Sequence, residues 1–300
     1  MAAQFSETER HIRGIMSIGT TVTYNNIKYT ITKCDKPSPN KGECKTDVYL
    51  ELKSPTDELL ILKISIKQTN ADFLENKINI VRATEIFGVQ VNDILTKSID
   101  SIKDKFKCDY LVCFDSYGRT EAGTIKIGWK FELLNKSGGD KSGKMILTDE
   151  QKIDIYAGVN LSEDKKNCTV GGVKINNSGV ADFILEVDPN DLSNNPQDYI
   201  DNLKPIDIYA PLQDIYFACK AVNYRADKDK WDGNRPLSVY VNWSLSNGKL
   251  SAELVLNDPL NTCANDIGRN IQSILKSLKI CKNNFNNLRN VLHNVKAYKE

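Results

Sequence analysis

Three residue types gathered on one hairpin are the part of this chain best suited to chemistry. Residues 45–53 alternate, so that Val48, Leu50 and Leu52 point one way and Asp47, Tyr49 and Glu51 the other. Residues 59–67 alternate as well, with Leu60, Leu62, Ile64 and Ile66 on one face and Lys63, Ser65 and Lys67 on the opposite one. Side chains alternate across a strand with period two, so this division follows from backbone geometry. Pro55, Thr56 and Asp57 are turn formers between the two runs. A turn centred near Thr56 puts Asp47 across from Ser65 and diagonally next to Lys63 and Lys67, at separations of roughly 5–8 Å. One face is then core, and the other collects a carboxylate, a hydroxyl and an amine. A carboxylate ligates hard cations and an ammonium stabilises growing negative charge, as metal-assisted phosphodiester hydrolysis requires. The competing reading is an ordinary solvated face carrying an Asp47–Lys67 ion pair.

The wider segment, KTDVYLEL…LKISIKQTNADFLENK over residues 45–77, resembles the catalytic segment of type II restriction endonucleases of the PD-(D/E)xK nuclease superfamily. Many of these carry a D-V-x-I strand followed by an I-S-x-K strand. The motif covers about a tenth of the chain. The resemblance implies Mg2+ as cofactor and double-stranded DNA as substrate. It casts Asp47 as the anchoring metal ligand, with the Ile66 backbone carbonyl facing the same metal. It casts Lys67 as the ammonium near the attacking water and the phosphate. It also implies a homodimer on a palindromic site, each subunit cutting one strand. Ser65 departs from the pattern, because an Asp or Glu usually stands there. The second acid must then come from elsewhere: Glu51 on the hairpin, Glu75 or Glu85 beyond it, or Glu7 or Glu9 near the N-terminus. Glu51-Leu52-Lys53 is a weaker E-x-K element, since Glu51 sits only four residues after Asp47 on the same strand, with no turn between.

The elements that must position these groups read as follows. Residues 2–16 carry Ser6 followed by Glu9, a capping-box signal, and read as a helix. Residues 19–34 read as a hairpin around Asn25-Asn26, followed by a lysine-bearing loop over 35–44. A helix is expected from about Ala71 to Phe87, with Thr69 or Asn70 as its cap, and another from Val91 to Lys105. Strands are expected at 109–115 and 124–134. The segment NKSGGDKSGK, 135–144, approaches a phosphate-binding loop. However, Met145 stands where a Ser or Thr is needed and no long helix clearly follows. A capped helix over 148–158, short strands to 187, a Pro- and Asn-rich linker over 188–205 and an apolar segment over 206–223 come next. The hairpin 237–256 has an Asn247-Gly248 turn. The end, about 264–299, reads as one or two helices with seven Lys or Arg and an apolar stripe.

The chain is thus expected to be α/β, with a mixed central sheet flanked by helices, an additional β-rich region and C-terminal helices. The expected division is a catalytic core over 1–115, a DNA-recognition region over 116–260 and packing or dimerising helices over 261–300. Candidate DNA contacts are Gln68, Asn70, Lys141, Lys174, Asn176, Asn177, Arg225, Lys228, Lys230 and Arg235, chosen for donors and charge that suit base edges and phosphates.

Composition narrows the classes. The 300 residues are 40% hydrophobic and 26% charged, which excludes a disordered chain, and the net charge of +1 does not by itself demand a nucleic-acid partner. Eight cysteines without a C-x-x-C pair, and only two histidines, argue against structural zinc and against a histidine-based nuclease. No signal peptide or membrane span is evident, so a cytoplasmic protein with reduced thiols and no membrane contact is expected. Two other functions remain open: a repair or invading-DNA nuclease of the same fold, and a noncatalytic DNA-binding or structural protein.

Overall fold

The computed structural model describes residues 2–76 and 78–299, so Lys77, the last residue of the quoted segment, and Glu300 lie outside it. The chain folds into two units, and neither is one continuous stretch. The first combines residues 1–72 with 147–213, and the second combines 73–146 with 214–300. Both are mixtures of helix and strand, as the α/β class requires. The expected boundary near 115 is not where the chain divides. Residues 73–115 pack with the second unit, and 147–213 return to complete the first. The reason is strand pairing, since the last strand of the hairpin finds its other neighbour more than a hundred residues later.

In the first unit, helix α1 (Ala2–Ile15) precedes strands β1 (Thr21–Tyr24), β2 (Ile27–Asp35), β3 (Val48–Lys53) and β4 (Leu59–Gln68). The four strands form an antiparallel meander, and the strand Phe183–Val187 then adds parallel to β4, with Ile64 opposite Phe183 and Gln68 opposite Val187. A parallel neighbour needs a crossover rather than a tight turn. That crossover carries residues 73–146, the first segment of the second unit, and the helix Asp149–Ala157. This helix starts where expected, at Thr148, which forms a reciprocal capping box with Gln151.

The expected register holds from the first pair onward. Val48 faces Ile64 and Leu52 faces Leu60, centring the turn on Thr56. Ser54 fixes that turn by accepting the N–H groups of Thr56 and Glu58, and Asp57 takes a positive φ of 61°. The alternation does its expected work on one face. Val48, Leu50, Leu52, Leu62, Ile64 and Ile66 are buried with Ile12 and Met16. Each such side chain contributes about 1.5–3 kcal/mol by leaving water. The opposite face is less open than the pattern suggests, because Tyr49 and Ser65 are also buried.

Several local expectations change. Ser6 lies inside α1 rather than at its cap. The helix expected from Ala71 begins only at Ile80, capped by Asn79, and Phe73–Glu75 is a strand instead. Thr69 and Asn70 form a turn after β4. In the second unit the long strand Thr124–Leu134 pairs with Tyr216–Arg225 on one side and Val239–Ser246 on the other. The hairpin at Asn247-Gly248 forms as read, with positive φ at both residues. The glycine-rich segment near 138 is no phosphate loop. Ser142–Lys144 is a strand paired with Tyr216–Ala218, and Lys144 is held by Asp214 at 2.7 Å. Among the described residues, the C-terminal region is α-helical only over Ala264–Ser277. Asn-rich residues 282–290 wind into a tighter 3-10 helix, and Ala297–Tyr298 pairs with Val112–Cys113. It therefore packs as part of the second unit.

Candidate active site

Strand β3 begins at Val48, so Asp47 stands one residue before its first ladder pair. At that position the side chain replaces the missing backbone partner. Asp47 Oδ2 accepts the Ile66 N–H at 2.8 Å and the Ser65 hydroxyl at 3.4 Å. The N–H and C=O of one strand residue project toward the same neighbour. The Ile66 carbonyl therefore lies on the Asp47 side of β4. Ser65 is almost fully buried, and its hydroxyl is directed at the Asp47 carboxylate. A hydroxyl placed there can orient that carboxylate.

A second acid does arrive, from α1. Glu9 is 5% exposed, and its Oε2 accepts a hydrogen bond from Lys36 Nζ. The same ammonium lies 3.9 Å from Asp47 Oδ1. Lys36 immediately follows β2, so the helix, the end of β2 and the hairpin meet at this point. The depth of α1 is set by Ile12 and Met16 in the core and by a buried hydrogen bond from Gln68 Nε2 to Thr8 Oγ1 at 2.7 Å.

Electrostatics mark the same place. Burial pushes the Asp47 carboxyl up to about 6, and the nearby Glu9 charge adds to the rise. Lys67, the Ile66 N–H and Lys36 oppose it. Lys67 is thus close enough to act on Asp47, as its diagonal register position requires. Burial disfavours the Lys36 ammonium, yet Glu9 and Asp47 together hold its pKa above the ordinary lysine value.

The other proposed second acids have partners of their own or are exposed. Glu51 lies four residues along β3 from Asp47, roughly 13 Å at the usual strand rise. It pairs with Lys33 at 3.2 Å and accepts from the Tyr49 hydroxyl. Glu7 is exposed. Glu75 and Glu85 belong to the second unit, where both bind Arg82, at 3.1 and 3.4 Å. Glu9 was one of several sequence candidates; only the packing of α1 singles it out. Lys36 was missed as an individual residue, although its loop carried lysines suited to a phosphate.

The residues fit a magnesium ion. Among the described residues no group of three or more His, Cys, Asp or Glu is gathered as a metal cluster. Mg2+, however, needs only one or two carboxylates, completed by water and substrate oxygens. Asp47, Glu9 and the Ile66 carbonyl would supply that set, at a place already attractive enough to a cation to hold an ammonium.

The candidate DNA contacts divide by exposure. Gln68 is buried against Thr8, which leaves it no face for DNA. Lys141 is mostly buried between Asp109 and Asp140, at 2.9 and 3.2 Å. Arg225 is bound by Glu121 and by Asp232. Arg235 is half-buried, beside Lys130 and Phe131 at a small cavity. Asn70, Lys174, Asn176 and Asn177 are exposed on the first unit, and Lys228 and Lys230 on the second. Asn177 also accepts the Lys63 ammonium on its carbonyl at 3.2 Å.

Compared with known proteins, the chain has no significant match to a family model, to a curated protein or to a solved structure.

Proposed function

We propose that the protein is a Mg2+-dependent, site-specific endonuclease for double-stranded DNA, built on a restriction-endonuclease-like core. The observation that carries this reading is the meeting of Glu9 and Asp47 on a single ammonium, with Lys67 acting on the same Asp47 carboxylate. The first unit's sheet supports it, since an antiparallel meander and a returning parallel strand form one mixed sheet. In this reading a bound Mg2+ polarises the scissile phosphate and acidifies a water. Asp47, oriented by Ser65 and the Ile66 N–H, and Glu9, carried by α1, provide the carboxylates. Lys67 stabilises the charge that accumulates on the phosphate in the transition state. The exposed polar residues Asn70, Lys174, Asn176, Asn177, Lys228 and Lys230 are available for phosphate and base contacts. A palindromic target calls for a two-fold dimer. All eight thiols are free, which suits the cytoplasm, and no helix among the described residues is long and apolar enough to cross a membrane.

The test is incubation of the purified protein with phage lambda DNA, with magnesium or with EDTA, alongside Lys67→Ala. Discrete magnesium-dependent fragments, lost in the variant, support the reading, and their end sequences give the target site. A smear would keep the nuclease and discard site specificity. Absence of cleavage on unmodified DNA from several sources would favour a noncatalytic protein.

A further inference from the structure

We propose that Lys36 is the resident cation of this site, holding the Glu9 and Asp47 carboxylates together until a divalent metal ion displaces it. This rests on the metal-site reading above and assigns a residue that the motif does not contain. The two side chains concerned are largely withdrawn from water, with Glu9 6% exposed and Asp47 16% exposed. Carboxylates so buried and so close to each other need a compensating charge. Lys36 provides one, donating to Glu9 Oε2 and lying 3.9 Å from Asp47 Oδ1.

The backbone of Lys36 is fixed while its side chain is free to leave. Asp35, the last residue of β2, accepts the Lys36 N–H at 2.7 Å and the Gly171 N–H at 2.8 Å, anchoring the strand end. The Lys36 side chain itself is 39% exposed, so solvent reaches the ammonium and an exit path exists. A dication at the same place interacts with each carboxylate about twice as strongly as an ammonium does. Metal ion and ammonium repel each other and cannot both occupy it. Lys36 therefore stabilises the metal-free protein at the expense of metal affinity.

Manganese provides the probe, because Mn2+ takes the oxygen ligands of Mg2+ and its free form is counted by electron paramagnetic resonance. Titrations at pH near 8, without DNA, would compare the full-length protein with Lys36→Met, which keeps most of the side-chain stem, and with Lys36→Gln. Both variants should bind Mn2+ about tenfold more tightly or better, and Asp47→Ala should abolish that binding. Equal or weaker binding by the Lys36 variants, with the wild-type site still lost in Asp47→Ala, would overturn the role given to Lys36 and leave the metal site standing. Failure of wild type and of both Lys36 variants to bind Mn2+ would instead overturn the metal site itself. A second readout does not depend on the variants folding. Amine acetylation of Lys36 in the wild-type protein, followed by mass spectrometry and normalised to the other lysines, should rise when Mg2+ is added. Unchanged acetylation at saturating Mg2+ would contradict displacement.

Discussion

Asp47 concentrates the electrostatic cost of the site. Its carboxyl is raised from 3.8 to about 6, first by burial and then by Glu9. Between those two values the native protein keeps a proton that the unfolded chain has released, so native stability falls as pH rises through that window. Above about pH 6 the ionised carboxylate is held at a loss, and Asp47→Asn should relieve it. The amide oxygen can still accept the Ile66 N–H. We expect Asp47→Asn to be more stable than wild type by about 1–3 kcal/mol at pH 8 and no different below pH 4, as measured by urea denaturation. Lower stability of the variant at pH 8 would mean that the carboxylate is favourably paired after all. The same ionisation governs metal binding, so Mn2+ affinity should fall as pH drops through about 6. Lys67→Ala should leave the fold intact and lower single-turnover cleavage by roughly 10²–10³. A variant with wild-type rates would remove Lys67 from the chemistry.

The elements show which features a sequence exposes. Alternation and turn residues placed β3 and β4 in register, and with them Asp47, Ser65 and Lys67, because period-two patterning and turn chemistry are local. The helix expected at Ala71 failed for a nonlocal reason. Phe73 and Glu75 pair with Leu134 and Leu133, an attachment invisible in the segment itself, so the helix waits for the Asn79 cap. Glu9 was legible only as one acid among several, since α1 must dock before one helical face is selected. A nonlocal support also fixes the approach to Asp47. The Gly179 carbonyl accepts the N–H groups of Lys45 and Thr46, and a Cβ on Gly179 would meet the Lys165 carbonyl oxygen at 1.9 Å and Cys168 Sγ at 2.8 Å. Gly179→Ala should therefore cost about 2–3 kcal/mol and weaken Mn2+ binding, read from thermal melts and titration. A neutral result would show that the 165–179 loop yields without moving Asp47.

At the scale of the whole molecule, the hairpin belongs to a unit assembled from two distant segments. A catalytic piece ending at 115 would lack the strand Phe183–Val187 and the residues Tyr199 and Ile200, which pack on the same core. It would leave β4 as an open edge. Expressed alone, residues 1–115 should aggregate or remain unfolded by circular dichroism, and a cooperative unfolding transition would contradict the discontinuous unit. The function proposed here depends above all on α1 bringing Glu9 to Asp47. The most direct measurement is single-turnover cleavage of duplex DNA in Mg2+ by Glu9→Gln beside Glu51→Gln and Glu75→Gln. Glu9→Gln should lose at least about 10²-fold in rate while the other two stay within a few-fold of wild type. Wild-type cleavage by Glu9→Gln, or its collapse in Glu51→Gln instead, would show that the second acid has been assigned to the wrong residue.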